Sequence, residues 1–170
     1  LAKMRGARVV GIAGGPEKCA WIKEELGYDE AVDYKAEDWK RQLADATPDG
    51  IDVDFENVGG EIMNEVIGRL NINARVALCG LISGYNETGR PQRLSNFHKL
   101  LINRVTLQGF IILDYYPRFG EAIRELSQWV AEGKLKSEQT VVEGFENLPH
   151  ALNMLFKGEN KGKLVVKIAD

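Results

Sequence analysis

The chain has 170 residues, 44% of them hydrophobic and 28% charged, and a formal net charge of -3. That length and balance fit one soluble globular domain with a sizeable core, and they exclude disordered, collagen-like and coiled-coil sequence. With 22 basic against 25 acidic residues and no basic run, the chain lacks an electrostatic footprint for nucleic acid. No apolar stretch reaches the ~18 residues of a membrane span, and no signal-peptide pattern opens the chain. Cys19 and Cys79 are too few and too scattered for a disulfide framework, so the expected compartment is the reducing cytoplasm. Together with His98 and His150 they lack the close spacing of zinc ligands.

Residues 1–6 read as the last turns of a helix closed by Gly6, or as a frayed tail. Residues 7–13 follow as a short buried strand. Pro16 suits the first turn of a helix, where its absent N–H is no loss, and residues 17–26 continue it to Gly27. Residues 31–34 form a short strand, and residues 36–46 a helix with Trp39 and Leu43 on its apolar side. Residues 51–55 alternate as a strand. Residues 61–70 read as a helix striped by Ile62, Val66 and Leu70, and residues 75–79 as a strand. A longer strand is predicted over 105–113, helices over 119–132 and 148–156, and a terminal strand over 163–168. Such alternation predicts a parallel sheet covered on both faces.

Ligands of such sheets bind at the carboxyl ends of the strands. The turn Ala13-Gly14-Gly15-Pro16-Glu17-Lys18 is not G-x-G-x-x-G, and fits better as the end of a second strand. An NAD enzyme would carry a carboxylate there for the ribose hydroxyls. Small residues and a nearby Lys18 favour a 2'-phosphate instead, hence NADP; the alternative is a solvated surface lysine. Tyr34 either closes over a ribose phosphate or caps the core edge. Asn57, followed by Gly59 and Gly60, lets backbone approach a ligand, or simply makes a strand-to-helix turn. Residues 79–85 form a flexible strand exit rich in backbone donors. Cys79 itself reads better as a small buried hydrophobe than as a nucleophile, since no histidine lies nearby in sequence.

Taken in order, several phrases resemble one family. They are Gly-Gly-Pro-Glu-Lys18, Asp-Tyr34, Glu-Asn-Val-Gly-Gly60, Cys-Gly-Leu-Ile-Ser-Gly-Tyr85, Glu-Gly-Phe145-Glu-Asn-Leu-Pro149 and Gly-Glu-Asn-Lys-Gly-Lys163. They look like the zinc-free medium-chain dehydrogenase/reductases, in the prostaglandin reductase and leukotriene hydroxydehydrogenase branch, with its bacterial NADP-dependent oxidoreductases and curcumin reductases. The resemblance covers nearly the whole chain. It implies a Rossmann-type doubly wound α/β fold and NADPH-dependent reduction of the carbon-carbon double bond of an α,β-unsaturated ketone or aldehyde. By carry-over, Lys18 and Tyr34 hold the 2'-phosphate and Asn57 lies along the cofactor. Cys79, Gly80, Leu81, Ile82, Ser83, Gly84 and Tyr85 wrap the nicotinamide-ribose side. Phe110, Ile111 and Ile112 offer backbone groups to the carboxamide, and Asn160 touches the cofactor. No catalytic side chain is assigned. Some relatives carry a tyrosine eight residues before the Phe110 position, and Ile102 stands there instead.

The resemblance further implies that the family's catalytic domain, first cofactor-domain strand and glycine-rich turn would precede Leu1. Residues 1–170 would then be one NADP-binding domain, truncated at its N-terminus and inactive by itself. In the order 3-2-1-4-5-6 that first strand is central. Its flanking strands are then expected to close up or to recruit a neighbouring strand, unless the polypeptide is longer. A sheet-extending homodimer through the 105–113 strand is expected as in relatives; neither nucleic acid nor membrane is a partner. Two rivals stand beside this reading. One is a methyltransferase, against which Gly14-Gly15 argues because it lacks the acidic ribose grip. The other is a non-catalytic nucleotide-binding or oligomerising domain.

Overall fold

A computed structural model describes residues 1–85 and 93–169. Its strands and helices alternate: β1 (Val10–Ala13), α1 (Pro16–Glu24), β2 (Glu30–Asp33), α2 (Trp39–Ala46), β3 (Ile51–Glu56), α3 (Gly60–Gly68), β4 (Leu70–Leu78), α4 (His98–Ile102), β5 (Thr106–Gly109), α5 (Phe119–Ala131), β6 (Gln139–Glu143), α6 (Leu148–Lys157) and β7 (Lys163–Lys167). Every strand pairing among the described residues is parallel, as the alternation predicts. The pairings form three sheets, β1-β2, β3-β4-β5 and β6-β7. Among the described residues, β1 has only β2 as a strand partner and β3 only β4.

The chain divides into two compact units. The first comprises 1–33 and 120–170. Gly6 there closes a short 3-10 turn (Lys3–Arg5) in the left-handed conformation, a tighter element than the helix expected. Pro16 takes the first turn of α1 as expected. The core residues of this unit are Ile22, Val32 and Ala151. The β6 strand escaped the sequence reading, although Val141 and Val142 alternate within it.

The second unit comprises 34–119. Trp39, Leu43 and Ala46 of α2 are buried, as are Met63, Val66 and Ile67 of α3 and Leu70, Ala74 and Val76 of β4. Asp38 at the N-terminus of α2 accepts bonds from Arg41 (2.6 Å) and Gln42 (2.8 Å). Arg69 donates to the carbonyls of Ala44 and Thr47, closing the negative end of the same helix. Two boundaries differ from expectation. Helix α3 stops at Gly68, so Leu70 opens β4 instead of completing the Ile62–Val66 stripe. Between the pairs Ile51↔Leu70 and Val53↔Arg75 the β4 side carries extra residues, and Asn73 takes a left-handed conformation (φ 64°) that asparagine tolerates better than most. Asn103 stitches this irregular stretch by donating its side-chain amide to the Leu70 carbonyl (2.6 Å) and accepting the Asn73 N–H (2.7 Å). The predicted 105–113 strand is cut to Thr106–Gly109, because the chain turns into a 3-10 run over Ile112–Arg118.

Candidate functional site

Register sets the site. Glu56, Leu78 and Gly109 lie side by side across β3, β4 and β5, so the three strands end level and Asn57, Cys79 and Phe110 leave the sheet together. The exits are tied to one another. Cys79 and Gly80 donate N–H groups to the Glu56 carbonyl (2.8 and 3.2 Å), Ile82 to Asn57 (3.3 Å), Ser83 to Val58 (2.9 Å), and Phe110 to Leu78 (3.2 Å). The Ser83 hydroxyl also donates to the Val58 carbonyl at 2.6 Å. A Cβ on Gly80 would lie 2.7 Å from the Asn57 side-chain oxygen and 3.3 Å from the Tyr85 hydroxyl. Only glycine therefore lets both polar groups approach the strand exit. The Tyr85 hydroxyl accepts the Leu81 N–H at 3.4 Å.

An open pocket of about 440 Å³ lies at these strand ends. Cys79, Gly80, Leu81, Tyr85, Phe110 and Ile111 line it together with Leu78, Gly109 and Asp114. Its walls are mainly apolar, with a hydroxyl and a carboxylate among them. Phe110 stands between Phe55 (6.2 Å between ring centroids) and Tyr115 (6.1 Å, rings nearly perpendicular). Such a pocket suits a flat, largely apolar ring with a polar edge.

On the opposite face of β3, Glu56 is buried, and its carboxylate accepts the Val58 and Gly59 N–H groups at 2.6 and 2.9 Å. Those bonds hold the turn into α3, in which Gly59 takes a left-handed φ of 79°. Asp54 lies on the same face, two residues earlier. One of its carboxylate oxygens is buried with no hydrogen-bond partner, an uncommon condition for a native polar atom. Burial, and then the charge of Glu56, push the Asp54 carboxyl up to about 7.

In the other unit, the Lys18 ammonium lies 3.7 Å from where a Cβ on Gly158 would stand. Gly158 is the left-handed cap of α6, and the carboxyl end of a helix attracts cations. Asn160, two residues on, donates its amide to the Gly162 carbonyl (2.8 Å). At the N-terminus of α1 the Gly15 N–H donates to the Asp33 carboxylate at 2.7 Å. Burial first, and then Asp33, raise the Cys19 thiol above its ordinary value.

Six of the residues expected from sequence thus share one pocket, with Asn57 pressed against Gly80; Cys79, expected to be buried, is exposed, because it leaves the sheet at the pocket wall. Ile82, Ser83 and Gly84 form a 3-10 turn beside it and are not among its walls. Tyr34 follows the end of β2, with 41% of its surface exposed. Ile112 opens the 3-10 run and is exposed. Two backbone groups expected to face a carboxamide are already engaged: the Phe110 N–H by Leu78 and the Ile111 carbonyl by the Asp114 N–H (3.0 Å). Asp114 was missed, because a carboxylate just beyond an apolar run reads as surface. Asp33 and Asp54 were missed because their surroundings come from distant residues.

Parallel strands alternating with helices, with a pocket at the carboxyl ends of β3, β4 and β5, define the class, a nucleotide-binding domain of the dehydrogenase type. The family profile described as zinc-binding dehydrogenase matches residues 1–131, and the chain belongs to that family. It is 44% identical to the NADPH-dependent curcumin reductase of Escherichia coli, over 99% of this chain and 50% of that one. It is 41% identical to prostaglandin reductase 1 of Sus scrofa, over 98% of this chain and 51% of that one. A crystal structure of CurA from Vibrio vulnificus in complex with NADPH superposes with a TM-score of 0.93 at 46% identity, covering 99% of this chain and 51% of that one. The chain spans about half the length of the curated relatives it matches. Although the family is named for zinc, the described residues contain no group of three or more His, Cys, Asp or Glu side chains that could hold a metal ion. Among the described residues no helix is long and apolar enough to cross a membrane.

Proposed function

We propose that this chain is the cofactor-binding part of an NADPH-dependent reductase acting on the carbon-carbon double bond of α,β-unsaturated ketones or aldehydes. The observation that carries the proposal is the level end of β3, β4 and β5, which brings Gly80, Tyr85 and Phe110 to one pocket with Asn57 against Gly80. The likeness to an NADPH-bound structure over nearly the whole chain supports it.

When bound, NADPH supplies a hydride to the β-carbon of the enone. The residues present fit that cofactor. The open, mainly apolar pocket, with Phe110 and Leu81 among its walls, would hold the nicotinamide ring. The Asn57 amide and Tyr85 hydroxyl at Gly80 orient its polar edge and the neighbouring ribose. Lys18, held against the end of α6, carries the charge that meets a 2'-phosphate. Asn160 fixes the turn after that helix. The Ile102 position offers no hydroxyl, so the proton that completes reduction is not assigned to it.

Enone-dependent oxidation of NADPH by the longest native polypeptide containing this sequence tests the proposal. Turnover with NADPH and an enone, but not with the corresponding saturated ketone, is the expected result. Cofactor binding without turnover would leave a nucleotide-binding module instead.

A further inference from the structure

Among the described residues, the walls of the pocket at the ends of β3, β4 and β5 include one acidic or basic side chain, Asp114. The other described walls are aliphatic, aromatic, glycine or the Cys79 thiol and Tyr85 phenol side chains. Asp114 lies near the start of the 3-10 run Ile112–Arg118, and its place is fixed on both sides. Its own N–H donates to the Ile111 carbonyl at 3.0 Å. The next residue, Tyr115, sets its ring edge-on to Phe110, 6.1 Å between centroids and 84° between planes. Among the described residues no cation pairs with the Asp114 carboxylate, so its charge is left to act on whatever fills the pocket.

We propose that Asp114 is a specificity-determining residue, whose carboxylate makes the pocket select neutral enones over enones that carry a carboxylate on the substituent conjugated to the reacting double bond. The inference rests on the reductase reading above and names the substrate class within it. The physical basis is like-charge repulsion across a mainly apolar wall, where water screens incompletely. Asp114 is itself exposed, so the effect is moderate. Discrimination of about three- to thirtyfold in KM is the expected scale. Because the interaction is electrostatic, it shrinks as salt is added, whereas a steric preference would not.

The test measures initial rates of NADPH oxidation by the longest native polypeptide containing this sequence, with benzylideneacetone and its para-carboxylate analogue as the paired probes. The readout is the ratio of their kcat/KM values at low and high salt. The unaltered protein should favour the neutral enone, with a ratio that falls as salt rises. Asp114→Asn should bring the ratio close to one, through the KM of the carboxylate. Asp114→Glu, which keeps the charge, should retain the preference. A ratio that is the same in the unaltered protein and in Asp114→Asn, with the neutral enone still reduced, overturns this inference and leaves the reductase reading standing. Absence of reduction with both probes in the unaltered protein overturns both.

Discussion

At the scale of single residues, Lys18 and Asp54 show how neighbours decide what a charge does. Lys18 lies against the carboxyl end of α6, where the helix itself favours a cation. If it also meets a 2'-phosphate, that charge-assisted bond contributes about 1.5–3 kcal/mol, or roughly ten- to a hundredfold in affinity. Lys18→Ala is expected to weaken NADPH by that factor and to leave NADH nearly unchanged, as read by fluorescence titration; equal losses would make Lys18 a surface residue. Asp54 is the opposite case, a carboxyl in surroundings that disfavour its charge. Its folded value of about 7 lies above the unfolded value of about 3.9, so the folded chain holds a proton that the unfolded chain releases. The stability owed to this group is fully present below about pH 4 and is lost as pH rises through about 7. Asp54→Asn should therefore raise the thermal midpoint at pH 8 and not at pH 4, by an amount of up to about 4 kcal/mol in stability. An equal shift at both pH values would assign the effect to shape and not to charge.

Among the elements, the strand exits are the parts that do chemistry, and their construction differs from one to the next. The exit of β3 depends on backbone: Gly59 takes a left-handed φ, and the buried Glu56 holds the two N–H groups behind it. The exit of β4 depends instead on space, since the missing side chain of Gly80 admits Asn57 and Tyr85. Gly80 does not have a positive φ, so alanine is tolerated by the backbone there and acts on those two side chains. Gly80→Ala should weaken NADPH about three- to tenfold, on the scale of one misplaced neutral hydrogen bond, while unfolding without ligand stays near its original midpoint. A collapsed midpoint would show that the exit supports the fold and not the ligand. The exit of β5 is where the sequence misled most. Residues 105–113 read as one apolar strand, but pairing with β4 stops at Gly109, and the Asp114 N–H bond to Ile111 starts a 3-10 run. Apolar character alone does not distinguish a strand from a tight turn that borders a pocket.

For the molecule as a whole, every strand pairing among the described residues is parallel, and β1 and β3 each have a single strand partner among them. The relatives are about twice as long as this chain, and the pocket stands open at the strand ends. The 170-residue chain expressed by itself is accordingly expected not to oxidise NADPH in the presence of an enone; measurable turnover from a chain verified at 19.0 kDa would overturn this. Local sequence determined the alternation of strand and helix, the parallel α/β class, the start of α1 at Pro16, the buried Trp39 and Leu43, and the strand-end positions of Asn57 and Cys79. These are legible because periodicity, proline and glycine act within a few residues of themselves. Tertiary structure decided the rest. The common register of Glu56, Leu78 and Gly109 gathers those exits into one pocket. Burial beside Glu56 moves Asp54, and the turn after β5 brings Asp114 to the pocket wall. Each depends on which distant segments become neighbours, and register, burial and electrostatic field exist only once those neighbours are in place.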